Sequence, residues 1–329
     1  MCGPVGPPSL LRRQNRSSGD TDRISVQTFP QRDWPGVARS LSPGDQAHQR
    51  LAIRGPSAQN QIMDAPVRRY GKKPFRVVVV HGGPGGAGGM RPVAEGLCLR
   101  FGVLEPLQTR MTVDGQIAEL KSVIAEAANR PVVLIGHSWG AWLAWLTTAR
   151  HADLVRKLIL VGSGGFRPGD GQTAHVVRME RLTQERREEV ESLLSQLEAA
   201  DEDVAKSAFA RFGELFAAAD AYEWIPHAPV EIDPRPDIYA SAWPEAAKLR
   251  ANGQLLHEGR KIRCPVVAFH GDYDSHPIDG VREPLQTVLN DFRLIVLPQC
   301  GHEPWFERHA RETFFRLLNE EIASSLTAE

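Results

Sequence analysis

The 329-residue chain has an ordinary globular hydrophobic content of 42 % and a net charge of −1, so nothing points to nucleic acid or an anionic surface as a partner. Its length has room for two or three domains, or for one large α/β domain with an insertion. The four cysteines Cys2, Cys98, Cys264 and Cys300 form no C-x-x-C pair and no zinc-like His/Cys spacing, and no apolar run approaches the roughly 18 residues of a membrane span.

Those cysteines read as free thiols of a reducing compartment. The opening MCGPVGPPSLLRRQNRSSGD lacks the apolar region of a signal peptide, usually ~7–15 residues, so a cytoplasmic location is expected. Residues 1–62 are rich in Pro, Gly, Ser, Gln and Arg and contain no lysine. Such a composition buries too little apolar surface to offset its ordering entropy, and a disordered extension is expected, with a weak strand reading only at Arg23 to Phe29. Met63 is an alternative start, which would place that stretch outside the protein.

From Lys73 the pattern becomes globular. FRVVVVH, Phe75 to His81, is a β-branched run suited to a strand buried on both faces of a parallel sheet. It ends in HGGPGGAGG, His81 to Gly89. A glycine-rich loop after a buried strand invites a phosphate-binding reading, but no Lys-Ser/Thr follows, and Pro84 breaks the dinucleotide spacing. The competing reading is a loop of backbone N–H donors for an oxyanion. A second strand is predicted over 102–108 and a helix over 113–128, with Ile117, Leu120 and Ile124 at helical spacing.

PVVLIGHSWG, Pro131 to Gly140, then reads as strand, abrupt turn and helix. Ser138 stands at the tip of the turn, flanked by Gly136 and Gly140, because bulky flanks would clash where the turns press together. The serine also lies at the start of the following helix, where free N–H groups receive negative charge. Trp142, Leu143 and Leu146 on that helix read as core packing. KLILVG, Lys157 to Gly162, gives another buried strand, and the alternation predicts a parallel sheet with right-handed crossovers.

Ser163 to Gly259 contains no buried strand and reads as charged amphipathic helices, about 173–200 and 202–219, followed by an aromatic-containing stretch. The run ERREEVE is a solvated helix face. An all-helical insertion between sheet strands predicts a lid or cap over the sheet's C-terminal edge. The sheet resumes at CPVVAFH, Cys264 to His270, ending in GDYDSHP; a helix follows over 280–289, then the last strand FRLIVL, Phe292 to Leu297, ending in PQCGHEPW, and a helix over 310–322.

Three strands thus end in reactive groups, Ser138, then Asp272 or Asp274, then His302, and a parallel sheet gathers its strand C-termini along one edge. A serine needs a base, and the base needs an acid to hold its tautomer.

HGGPGG, GHSWG, HGDYD and GHEPW together make the chain, from Lys73 to the C-terminus, resemble an α/β-hydrolase. The resemblance implies Ser138 as nucleophile, His302 as general base and then acid, and Asp274 as orienting acid, with Asp272 in reserve. It also implies an oxyanion hole from the backbone N–H of Trp139 and one near Gly83. The implied fold is a mostly parallel α/β-hydrolase sheet with helices on both faces. Residues 63–165 and 260–329 would form the core, and 166–259 a helical cap inserted between two strands. HGGPGG beside Ser-Trp-Gly is similar to the proline iminopeptidase branch. The chain departs from it at His137, where that branch has glycine, in lacking the D-x-R-G-x-G-x-S segment, and in offering no identifiable cap acid pair. The two strands that normally precede the Phe75 strand also have no convincing counterpart upstream.

The expected function is cleavage of an ester, thioester or amide of a small molecule through an acyl-enzyme, with no metal or cofactor. Epoxide hydrolase and dehalogenase chemistry is disfavoured because those relatives carry Asp at the elbow. Phe166, Trp243 and Trp305 are candidate pocket walls, with core packing as the competing reading. The alternative function is a ligand-binding or signalling protein with a slow or vestigial triad.

Overall fold

The computed structural model describes residues 66–197 and 201–327. The expected N-terminal extension, the strand reading at 23–29 and Cys2 lie outside them.

Seven strands make the main sheet: β1 (Val67–Tyr70), β2 (Phe75–Val80), β4 (Gly102–Pro106), β5 (Val132–His137), β6 (Val155–Val161), β8 (Val266–Gly271) and β9 (Phe292–Leu297). Their order is β1-β4-β2-β5-β6-β8-β9. All pairings are parallel except β1 on β4. β3 (Gly86–Ala87) and β7 (Asp233–Pro234) form a separate two-residue ladder that joins the glycine-rich loop to the helical insertion.

β1 supplies an upstream strand where the sequence offered none. VRRY is short, lies at the sheet edge and is only partly buried. An edge strand with one face in water tolerates charge, so it carries no apolar run to mark it. The central strands are the opposite case. Val78, Val80, Leu134, Leu158 and Leu160 enter one core, while Val77, Val79, Val133, Ile135 and Ile159 enter the other. This is the period-2 alternation of a strand buried on both faces.

α2 (Val113–Ala127) and α3 (Trp139–Arg150) pack on the first face; α1 (Arg91–Leu97) and α10 (Arg311–Thr327) pack on the second. α3 runs through the interior, buried from Trp139 to Ala149. Trp142 sits in its core at 2 % exposure, and its indole N–H donates to the Gly164 carbonyl at 3.0 Å.

Between β6 and β8 the chain leaves the sheet for α4 (Asp170–Arg181), α5 (Gln184–Gln196), α6 (Glu202–Asp220), α7 (Pro236–Ala251) and α8 (Gln254–Glu258). The long helix expected from about 173 onward is two helices. The backbone turns extended at Leu182, and the Thr183 hydroxyl caps α5 by accepting from the Arg186 N–H. α6 buries Ala205, Ala208, Phe212, Leu215 and Ala219, a 3-4-3-4 stripe. With Leu182, Val190 and Leu193 it forms a small core belonging to the insertion alone. α9 (Asp279–Val288) returns the chain to β9. No helix among the described residues is long and apolar enough to cross a membrane.

Candidate active site

The C-terminal ends of β5, β8 and β9 deliver Ser138, Asp274 and His302 to one edge of the sheet. Ser138 follows β5 directly and has φ 53° and ψ −118°, a backbone that an L-residue adopts only under strain of about 1–3 kcal/mol. Its amide donates to the Val161 carbonyl at 3.0 Å, which pins the turn to β6. The flanking glycines are required by space. A Cβ on Gly136 would lie 2.1 Å from the Gly140 carbonyl oxygen, and one on Gly140 would lie 2.3 Å from that of Val80.

His302 comes from the loop after β9. Its ring packs across Gly162 at the end of β6, where a Cβ would approach Nδ1 to 3.0 Å. His302 Nδ1 meets Asp274 Oδ2 at 2.7 Å. Asp274 has no side-chain exposure. A carboxylate only accepts, so Nδ1 carries the proton and Nε2 keeps its lone pair. Burial pushes the Asp274 carboxyl up, but the charges of His302, His276 and His270 and the His276 hydrogen bond hold it well below the usual carboxylate range. Burial pulls the His302 imidazole down, and the Asp274 charge and hydrogen bond outweigh this, leaving it above 6.5. Among the described residues no hydrogen bond joins Ser138 Oγ to His302; in unliganded sites this contact is commonly long.

Asp272, the reserve acid, lies elsewhere. It is exposed, and its Oδ1 accepts from the Cys300 N–H at 3.2 Å, tying the loop after β8 to the loop after β9. His302 therefore faces Asp274 and not Asp272. The glycine-rich loop lies against the serine through Gly82, whose Cβ would sit 3.2 Å from the Ser138 Cβ; Gly83 follows with φ 113°. Trp139 is buried, and its indole N–H donates to Gln116 Oε1 at 3.1 Å. His81 is a structural member of this loop. It is fully buried, with Nδ1 2.8 Å from the Gly82 carbonyl, and burial pushes it down to about 4.

The aromatic candidates fall in different places. Phe166 is 1 % exposed and packs on Trp142 and Trp145. Trp305 is 1 % exposed and meets the His137 ring edge-on at 4.7 Å. Trp243 is partly buried on α7, stacked between Trp142 and Tyr239.

Several further groups gather at the site, of which only His137 was marked in the sequence, and there only as a departure from the iminopeptidase pattern. His137 lies 4.7 Å from His302 with the two rings tilted by 51°, and burial together with the His302 charge holds it well below 6.5. His276 lies 4.8 Å from His302 on its other side. From the insertion, Arg178 on α4 binds Asp220 Oδ2 through Nε at 2.8 Å and Nη2 at 2.6 Å. The Asp220 carbonyl accepts from the His302 N–H at 3.2 Å. Glu303, beside His302, is raised by burial to about 7. These contacts unite segments distant in sequence, and nothing in local periodicity announces them. Asp274, His276 and His302 hold donor atoms within 4.8 Å of one another. The two nitrogen–oxygen separations of 2.7 and 2.8 Å are those of hydrogen bonds.

Comparison with known proteins agrees with this architecture. The profile of the alpha/beta hydrolase family matches residues 77–316. Over 260 residues the chain is 26 % identical to the pimeloyl-[acyl-carrier protein] methyl ester esterase of Chromobacterium violaceum, spanning 75 % of this chain and 93 % of that relative. Its fold is similar to that of VinJ, with a TM-score of 0.54 at 17 % identity over 78 % of this chain and 94 % of that one. It is similar also to proline iminopeptidase of Mycobacterium smegmatis, with a TM-score of 0.51 at 17 % identity over 80 % and 96 %. The sheet order, the serine turn and a profile match running from β2 into α10 place the chain in the alpha/beta hydrolase family.

Proposed function

We propose that the protein is a serine hydrolase that cleaves an ester, thioester or amide bond of a small molecule beneath the helical insertion, by way of an acyl-enzyme. The observation that carries this reading is the buried Asp274–His302 pair, 2.7 Å apart, at the same sheet edge as a serine held at positive φ.

His302 Nε2 takes the Ser138 proton as Oγ attacks the carbonyl carbon, and Asp274 balances the imidazolium that forms. Negative charge develops on the former carbonyl oxygen. The N–H of Trp139, at the start of α3, and an N–H of the Gly82–Gly83 segment are the donors for it. His302 then protonates the leaving group, and water repeats the sequence on the acyl-enzyme. Among carbonyl substrates an ester is favoured, because the relative from Chromobacterium violaceum that aligns over 93 % of its own length is named as a methyl ester esterase.

The test is steady-state hydrolysis of a p-nitrophenyl ester series of rising acyl length. Wild type turns over repeatedly on at least one ester, and Ser138→Ala loses about 10³- to 10⁶-fold in kcat. A wild type that binds these esters without multiple turnover would contradict the reading and favour a ligand-binding role for the same fold.

A further inference from the structure

Asp274 serves two imidazoles, not one. His302 occupies Oδ2 at 2.7 Å, while His276 Nδ1 reaches Oδ1 at 2.8 Å and the His276 backbone N–H donates to the same oxygen at 2.9 Å. His276 is itself held in place, since its carbonyl accepts from His270 Nε2 at the end of β8 at 2.9 Å. Its ring lies tilted by 30° against that of His302. The side chain of Asp274 has no exposure and that of His276 is 11 % exposed. Bulk solvent therefore does not reach this carboxylate. Each of its oxygens is satisfied by a protein N–H.

We propose that His276 is a positioning residue for the catalytic acid: by donating from Nδ1 and from its backbone to Oδ1, it locks the Asp274 carboxylate in the rotamer that turns Oδ2 toward His302. The proposal rests on the serine hydrolase reading above, in which Asp274 orients the general base. A buried carboxylate oxygen that loses one of its two donors is freer to rotate or protonate, and either change loosens the His302 tautomer that proton transfer needs. Burial pushes His276 down to about 4, so its ring is neutral at pH 7 with its one proton facing Asp274. A neutral donor on that side holds the carboxylate without adding a second positive charge beside the imidazolium formed in turnover.

The alternative is that the ring merely fills space against His302, and two substitutions separate these roles. Asparagine places an amide N–H at the branch position of Nδ1, while phenylalanine keeps a ring and loses the donor. His276→Asn is expected to keep kcat close to wild type. His276→Phe is expected to lose about 10- to 100-fold in kcat, the worth of a hydrogen bond to a charged group, with KM unchanged. A His276→Phe enzyme equal to wild type, or a His276→Asn enzyme as impaired as the phenylalanine variant, would overturn the proposal. Ser138→Ala is measured in the same series. If it is inactive while His276→Phe is normal, only the role of His276 is lost. If Ser138→Ala is active, the serine mechanism itself falls and this proposal falls with it. Nitrogen-15 shifts of histidine-labelled wild type supply a measurement free of folding effects: His276 must be the Nδ1–H tautomer at pH 7, and the Nε2–H tautomer would refute the donation outright.

Discussion

Ser138, Asp274 and His302 each bear a local cost. Ser138 holds a left-handed backbone, Asp274 buries a carboxylate completely, and His302 buries an imidazole that is more basic than usual. Groups arranged this way concentrate at sites of proton transfer. The pairing of His302 with Asp274 has consequences that can be measured. First, His302 must be neutral to accept the serine proton, and its pKa lies above 6.5. The acidic limb of the kcat/KM profile should therefore fall off as pH drops through a value above 6.5, not below it. A limb centred below 6.5 would mean that another group limits turnover. Second, Asp274→Asn replaces the acceptor with an amide that favours the wrong imidazole tautomer. The expected loss in kcat is about 10,000-fold with the fold intact by circular dichroism. Asp272→Asn should leave kcat within about threefold, as fits an exposed side chain that, among the described residues, accepts from the Cys300 amide.

At the scale of elements, a buried ion pair within the insertion braces the segment that meets the His302 loop. Arg178 on α4 holds Asp220 at the end of α6, and the Asp220 carbonyl holds the His302 amide. Arg178→Met would leave a carboxylate of 3 % exposure without its counter-charge, which costs about 3–5 kcal/mol. Thermal unfolding should show the loss, with activity falling as the His302 loop loosens. The double variant Arg178→Met with Asp220→Leu should recover most of the stability, because breaking a buried pair costs far more than replacing it. Equal instability of the single and double variants would show that the pair does not act as a unit.

The same scale explains what was legible beforehand. VVVV in β2 and VVLI in β5 announce themselves because both of their faces are buried. VRRY in β1 does not, since an edge strand half in water needs no apolar run. The split between α4 and α5 depends on one extended residue, Leu182, and on the Thr183 cap, a signal easily overrun by the charged helical composition on both sides. The place after a buried strand marked Asp272 and Asp274 alike, and the resemblance to the α/β-hydrolase pattern pointed to Asp274. His276, two residues on, did not stand out, because its role depends on a side-chain rotamer that reaches back to Asp274 and on a tilted ring contact with His302 from the loop after β9.

At the scale of the molecule, the chain uses one device repeatedly. Parallel strands with both faces buried fix the sheet, and the loops at their C-terminal ends are free to carry chemistry. The two cores on opposite faces of the sheet hold β2, β5, β6 and β8 rigid, while the helical insertion keeps a small core of its own. The alpha/beta hydrolase assignment covers the scaffold; the proposed serine chemistry depends on whether Ser138 is activated. Labelling with a fluorophosphonate probe tests that most directly. Wild type should be labelled covalently at Ser138, with labelling abolished in Ser138→Ala and strongly slowed in His302→Ala. Equal labelling of wild type and Ser138→Ala, or no labelling of wild type, would contradict the account.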